Sequence, residues 1–100
     1  MTRPALVAWL RSRIPAPPAQ LRVHLEAAAT DSGDPLPEQL ARLGSDLLAR
    51  VAARPTGGRE LALDLLAADA FVTYAFEAQA EANQAGLARL AEQGDAGGEG

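Results

Sequence analysis

The chain has 100 residues, of which 48% are apolar, with nine Arg, no Lys, thirteen Asp and Glu, and a net charge of −4. That length fits one domain, and the lack of Cys excludes disulfides, zinc–thiolate sites and thiol chemistry. The acidic balance, with a pI near 4.8, argues against a nucleic-acid partner.

Leu, Ile, Val and Phe together number 22. This lies just above the roughly 20% below which a charged chain tends to stay disordered, so the expectation is a folded domain with a modest core. Ala fills 23 positions; it is the best helix former and lets helices approach closely. The apolar run after Met1-Thr2-Arg3-Pro4 is too short for a secretory signal. Asp64 and Asp69 interrupt the longest apolar region, Leu61 to Phe76, which makes a bilayer span unfavourable. A cytoplasmic protein without a membrane partner is expected.

Proline and glycine divide the chain into four helical segments, predicting an all-α bundle. The first helix is expected over about 4–13, with Thr2 as cap, Pro4 in the first turn, and Arg11 and Arg13 at the negative C-terminal end. Ile14-Pro15-Ala16-Pro17-Pro18 forms an extended link. The second helix, over about 18–29, carries Leu21, Leu25 and Ala28 on one stripe, and the loop Thr30 to Pro35 follows. The third helix covers about 36–54, where Leu36, Leu40, Leu43, Leu47 and Val51 alternate four- and three-residue steps. Its outer face reads Glu38, Arg42, Asp46, Arg50, a ladder of opposite charges four residues apart.

Pro55-Thr56-Gly57-Gly58 opens the last helix, expected over about 59–93 and followed by a disordered tail, 94–100. A helix of that length spans roughly 50 Å, against roughly 15 to 27 Å for the other three. It must overhang its neighbours, bend back near Asn83–Gly86, or meet another chain. Leu61, Leu65, Val72, Phe76, Leu87 and Leu90 form its main apolar stripe, with Leu63, Leu66, Phe71 and Tyr74 outside it. The stretch 61–76 is apolar nearly all round, so this helix is expected to be the central axis, wrapped by the others. Charge agrees, because residues 1–59 carry a net +3 and residues 60–100 a net −7.

Several side chains invite a functional reading beside a structural one. Asp69 falls on the apolar stripe, where a carboxylate needs a partner, an Arg or His24, or else serves as a ligand or acid–base group. Glu77 and Glu81, four residues apart near Asp69, are weak candidates for a divalent-metal site, above all if a symmetric dimer doubles them. The Glu-x-x-His pairing of di-iron bundles is missing, and His24 is the sole histidine. His24 reads as a packing residue at the edge of a stripe, and Ser12, Ser32 and Ser45 have no nucleophile context. Trp9 with Arg3, Arg11 and Arg13 could mark an interfacial helix, but ten residues suit packing better. Gly57-Gly58 before a helix is a weak anion-binding signal without Lys or a phosphate loop.

Leu65-Leu66-Ala67-Ala68-Asp69-Ala70, followed by Ala75-Phe76, resembles a helix of isoprenyl diphosphate synthases. The likeness covers about a dozen residues and lacks the Asp-Asp-x-x-Asp motif that holds magnesium in that family, so it implies close-packed Ala-rich helices and no activity. No cofactor is expected. The pattern predicts a non-enzymatic interaction or assembly module that self-associates through the last helix, with Leu87 and Leu90 as interface residues. A metal-carboxylate protein and an acidic regulator of a basic protein partner are the alternatives.

Overall fold

The computed structural model describes residues 1–53 and 57–98, the last four as helix backbone alone. Four helices follow in order: α1 (Arg3–Arg11), α2 (Ala19–Ala28), α3 (Leu36–Ala52) and α4 (Arg59–Gly98). They form an all-helical bundle built on α4. The first three lie within a residue or two of the expected bounds. α4 runs on past Gln93, through most of the expected tail; Arg54, the Pro55 and Thr56 of the expected helix opening, and residues 99–100 lie outside the described residues.

Local chemistry explains the helix starts. Thr2 caps α1, its Oγ1 accepting from the Ala5 amide at 3.3 Å, with Pro4 in the first turn and Arg11 in the last. Pro18 and Pro35 stand at the N-caps of α2 and α3. Gly58 enters α4 at φ 131°, a backbone state that only glycine reaches without strain. Gly86 has no positive φ and interrupts nothing: α4 continues through it. Forty residues of straight helix measure about 60 Å, and the molecule is 65 Å long. Its long dimension is therefore α4 itself, and the helix overhangs its neighbours instead of bending back.

The core unites Leu6 and Leu10 of α1, Leu25 and Ala29 from α2 and its cap, Leu40, Leu43 and Leu47 of α3, and Ala67, Ala68, Phe71, Tyr74 and Ala78 of α4. The α3 stripe is as expected, with Leu36 and Val51 half-buried at its ends. α4 differs. Its buried face is not the expected one: Leu65, Phe76, Leu87 and Leu90 stay 45 to 74% exposed, and Val72 is half-buried. Nor is the helix wrapped all round, since the other helices leave that second face open.

The reason is steric. Gly44 of α3 is buried against α4, and a methyl there would lie 3.0 Å from Val72 Cγ2, 3.1 Å from the Ala68 carbonyl oxygen and 3.4 Å from Phe71 Cβ. So close an approach needs small residues on the facing surface; Ala68 sits directly opposite, Ala67 and Ala78 are also buried, and Phe71 and Tyr74 are the large side chains that fill the rest. A face of Leu65 and Phe76 would hold α3 away.

Polar groups fix the start of the chain to this core. Gln39 is 2% exposed, and its Nε2 donates to the carbonyls of Thr30 (2.9 Å) and Met1 (3.1 Å). Its Oε1 accepts from the Met1 amine at 3.1 Å. A buried amide satisfied on both sides ties the α2–α3 loop to Met1, the first residue.

Gly44→Leu should force α3 and α4 apart and lower unfolding stability by about 1–3 kcal/mol. Gly86→Ala, where an added methyl meets nothing within 4 Å, should raise local helix stability by up to ~1 kcal/mol. Thermal melts followed by circular dichroism check the first, and amide exchange across α4 checks the second. Equal tolerance at both glycines would contradict the close approach.

Candidate functional site

The acidic residues singled out from the sequence do not converge. Glu77 and Glu81 are both drawn to Arg13, which follows α1. Arg13 Nη1 lies 2.5 Å from Glu81 Oε1 and 3.9 Å from Glu77 Oε2. The guanidinium also stacks 3.7 Å over the Trp9 ring, and Trp9 meets Tyr74 of α4 edge-on at 5.9 Å. Trp9 is thus a packing residue that positions a cation, and Arg13 neutralises the carboxylates that the metal reading would use. Its hydrogen bond holds the Glu81 carboxyl below the usual range, and burial pushes the Tyr74 phenol up. Among the described residues, no three His, Cys, Asp or Glu side chains are grouped to hold a metal ion.

Asp69 is exposed, because the stripe it interrupts is itself exposed. The buried carboxylate is Asp64, at 6%. His24 pairs with Asp64 and not Asp69: Nε2 stands 3.4 Å from Asp64 Oδ1 and 3.6 Å from Glu60 Oε2. This cluster, with Arg50, Val23, Ala27, Ala28 and Leu47, lines a shallow cleft where α2 and α3 meet α4. Two of the serines take structural roles, while Ser45 is exposed on α3: Ser12 Oγ donates to the Trp9 carbonyl at 2.6 Å, and Ser32 Oγ accepts from the Asp34 amide at 3.0 Å. On α3, Arg42 turns to Asp34, 3.6 Å away in the preceding loop, instead of joining the expected ladder.

What remains without a counterpart is apolar. Leu65 (45% exposed), Phe76 (74%), Leu87 (66%) and Leu90 (63%) follow one another along the outer side of α4. Between them, Val72, Ala75 and Phe76 border a shallow groove against Pro37 and Ala41 of α3. Beyond Ala78 no described side chain of α4 is buried, so Leu87 and Leu90 project from a helix with no covering element. The sequence stripe therefore does exist, but only Val72, beside Gly44, and Leu61 are half-buried; its other large side chains are turned to solvent. Phe76, expected in the core, is its most exposed aromatic.

Comparison with known protein families, curated proteins and solved structures finds no match to this chain. Among the described residues, no helix is long and apolar enough to cross a membrane.

Arg13→Ala should cost about 1–2 kcal/mol at pH 7, from the cation–π contact and the half-exposed ion pairs. The sign of the accompanying pH effect follows from the depressed Glu81 value. Its contribution is full above the unfolded carboxylate value of about 4.3 and is lost as pH falls through the lower folded value. Glu26, lowered by its hydrogen bond to Arg11, acts in the same direction. Acid destabilisation should thus be shallower in Arg13→Ala but still present. Denaturant melts between pH 7 and pH 3 would show it, and an acid limb as steep as in the parent chain would count against the Arg13–Glu81 pair.

Proposed function

We propose that the protein is a non-enzymatic assembly module that presents α4 for helix–helix association with a second copy of itself. One observation carries this reading: the outer stripe of α4 leaves four large apolar side chains exposed on a single straight helix. From Leu65 to Leu90 that stripe measures about 37 Å. Isolated exposed leucines are ordinary, but an aligned series over this length is the pattern of a contact surface. Among the described residues no element covers it, while a second copy offers the same length of helix with the same stripe. A two-fold arrangement closes the assembly, because each copy covers the other's patch.

The metal-carboxylate reading draws no support from the geometry, since Arg13 engages Glu77 and Glu81 while Asp69 is in water. The acidic-regulator reading is weakened by the same ion pairs, which use acids of the C-terminal half within the domain.

Sedimentation and native mass spectrometry of the intact chain test the assembly. A dimer is the expected result, with Leu87→Glu/Leu90→Glu shifting it to monomer while the helix content of the core half is unchanged. A parent chain that stays monomeric at tens of micromolar would end this reading, and so would an assembly indifferent to both glutamates.

A further inference from the structure

The exposed stripe has an internal symmetry that selects one arrangement of the two copies. Leu65, Phe76 and Leu87 are each separated by eleven residues. Eleven residues make about three turns of α-helix, so the three side chains stand almost in line, about 16 Å apart. Phe76 is the midpoint. Counting outward from it, Leu65 mirrors Leu87, and the two polar residues of the stripe, Asp69 and Asn83, mirror each other seven residues away on either side.

Resting on the self-association proposed above, we infer that two copies of α4 pack antiparallel, with the two-fold axis passing at Phe76. In this register Phe76 meets the second copy's Phe76. Each also lies beside the other's groove of Pro37, Ala41, Val72 and Ala75. Leu65 meets the second copy's Leu87, and the half-buried Leu61 is at the level of the second copy's Leu90.

The polar pair decides between orientations. In a parallel, in-register dimer Asp69 would face the second copy's Asp69, two like charges at an apolar seam. In the antiparallel register Asp69 faces Asn83. The Asn83 Oδ1 already accepts from Gln79 Nε2 at 2.9 Å, which leaves its amide hydrogens to donate to the Asp69 carboxylate. The overhang also finds a use: residues beyond Ala78 of one copy lie along the packed half of the other, so both overhangs are covered in a single contact. In the parallel arrangement the overhangs meet only each other.

The lack of Cys makes the register directly readable. Leu65→Cys and Leu87→Cys chains are purified separately, then oxidised alone and as a mixture. The mixture should yield a disulfide-linked dimer and each chain alone should not. Linkage of Leu87→Cys to itself would overturn the antiparallel register while leaving self-association standing. Since cysteine at these positions could weaken the contact, a spin label at Glu92→Cys, exposed and off the stripe, gives an independent reading with the stripe intact. The two labels should lie about 48 Å apart along the helix axis in the antiparallel dimer and at the same level in the parallel one. A label distance of about 20 Å would overturn the register, and a label-bearing chain that sediments as monomer like its parent would overturn the assembly and the register together.

Discussion

The approach of α3 to α4 at Gly44 governs the rest of the structure. A buried glycine on one helix, facing Val72, the Ala68 carbonyl and the base of Phe71 on the other, brings two backbones closer than any larger side chain would permit. That contact selects which face of α4 turns inward. Once small residues hold the interior, the large ones of the same helix are displaced to its outside, and the open apolar stripe follows directly. A chain with this few large apolar residues gains density through close backbone approach, and the cost is a helix with a second apolar face.

The sequence made the helices legible because their punctuation is local. Pro18, Pro35 and Gly58 stand where α2, α3 and α4 begin, and the Leu40–Leu43–Leu47 spacing of α3 names its buried face correctly. The orientation of α4 was not legible in the same way. A helical wheel ranks faces by bulk, which places Leu65 and Phe76 inside, whereas the packing is decided by shape complementarity to Gly44, a property of another helix. The carboxylates moved with the face. Once the helix is turned toward its small residues, Asp64 rather than Asp69 enters the interior, and His24, already on the adjoining face of α2, becomes its neighbour. The candidate metal ligands failed for a related reason: four-residue spacing puts Glu77 and Glu81 on one side of α4, but Trp9 brings Arg13 to that side.

Two polar ties delimit the packed part of the molecule. At one end, the buried Gln39 amide joins the first residue to the α2–α3 loop. Toward the other, Arg13, just after α1, pairs with Glu77 and Glu81 on either side of Ala78, the last buried residue of α4 among those described. Neither tie is written as a motif. Each joins a side chain to a separate element: Gln39 of α3 meets backbone groups of Met1 and the α2–α3 loop, and Arg13 after α1 meets acids of α4, which is why Gln39 carries no signal in the sequence and Arg13 reads there only as a helix-terminal charge.

Past that point α4 is a helix supported on no side, and its persistence has to be explained. A separate peptide of about twenty residues would be marginal, chiefly because the first turn is costly to nucleate. Here the packed half supplies that first turn, and propagation needs only favourable residues: Ala80, Ala82, Ala85, Ala88 and Ala91, interleaved with Glu, Gln and Arg, provide them. Propagation alone gives no reason for Leu87 and Leu90, which a solvated helix would carry equally well as Glu or Lys. Their placement on the same line as Leu65 and Phe76 makes the overhang an extension of the exposed stripe and not merely an extension of the helix. Covering the stripe would then stabilise two things at once, since the apolar side chains that leave water are borne by the part of α4 that has no tertiary support. Association and the order of the C-terminal half become linked, so that any occupant of the stripe also holds the overhang helical.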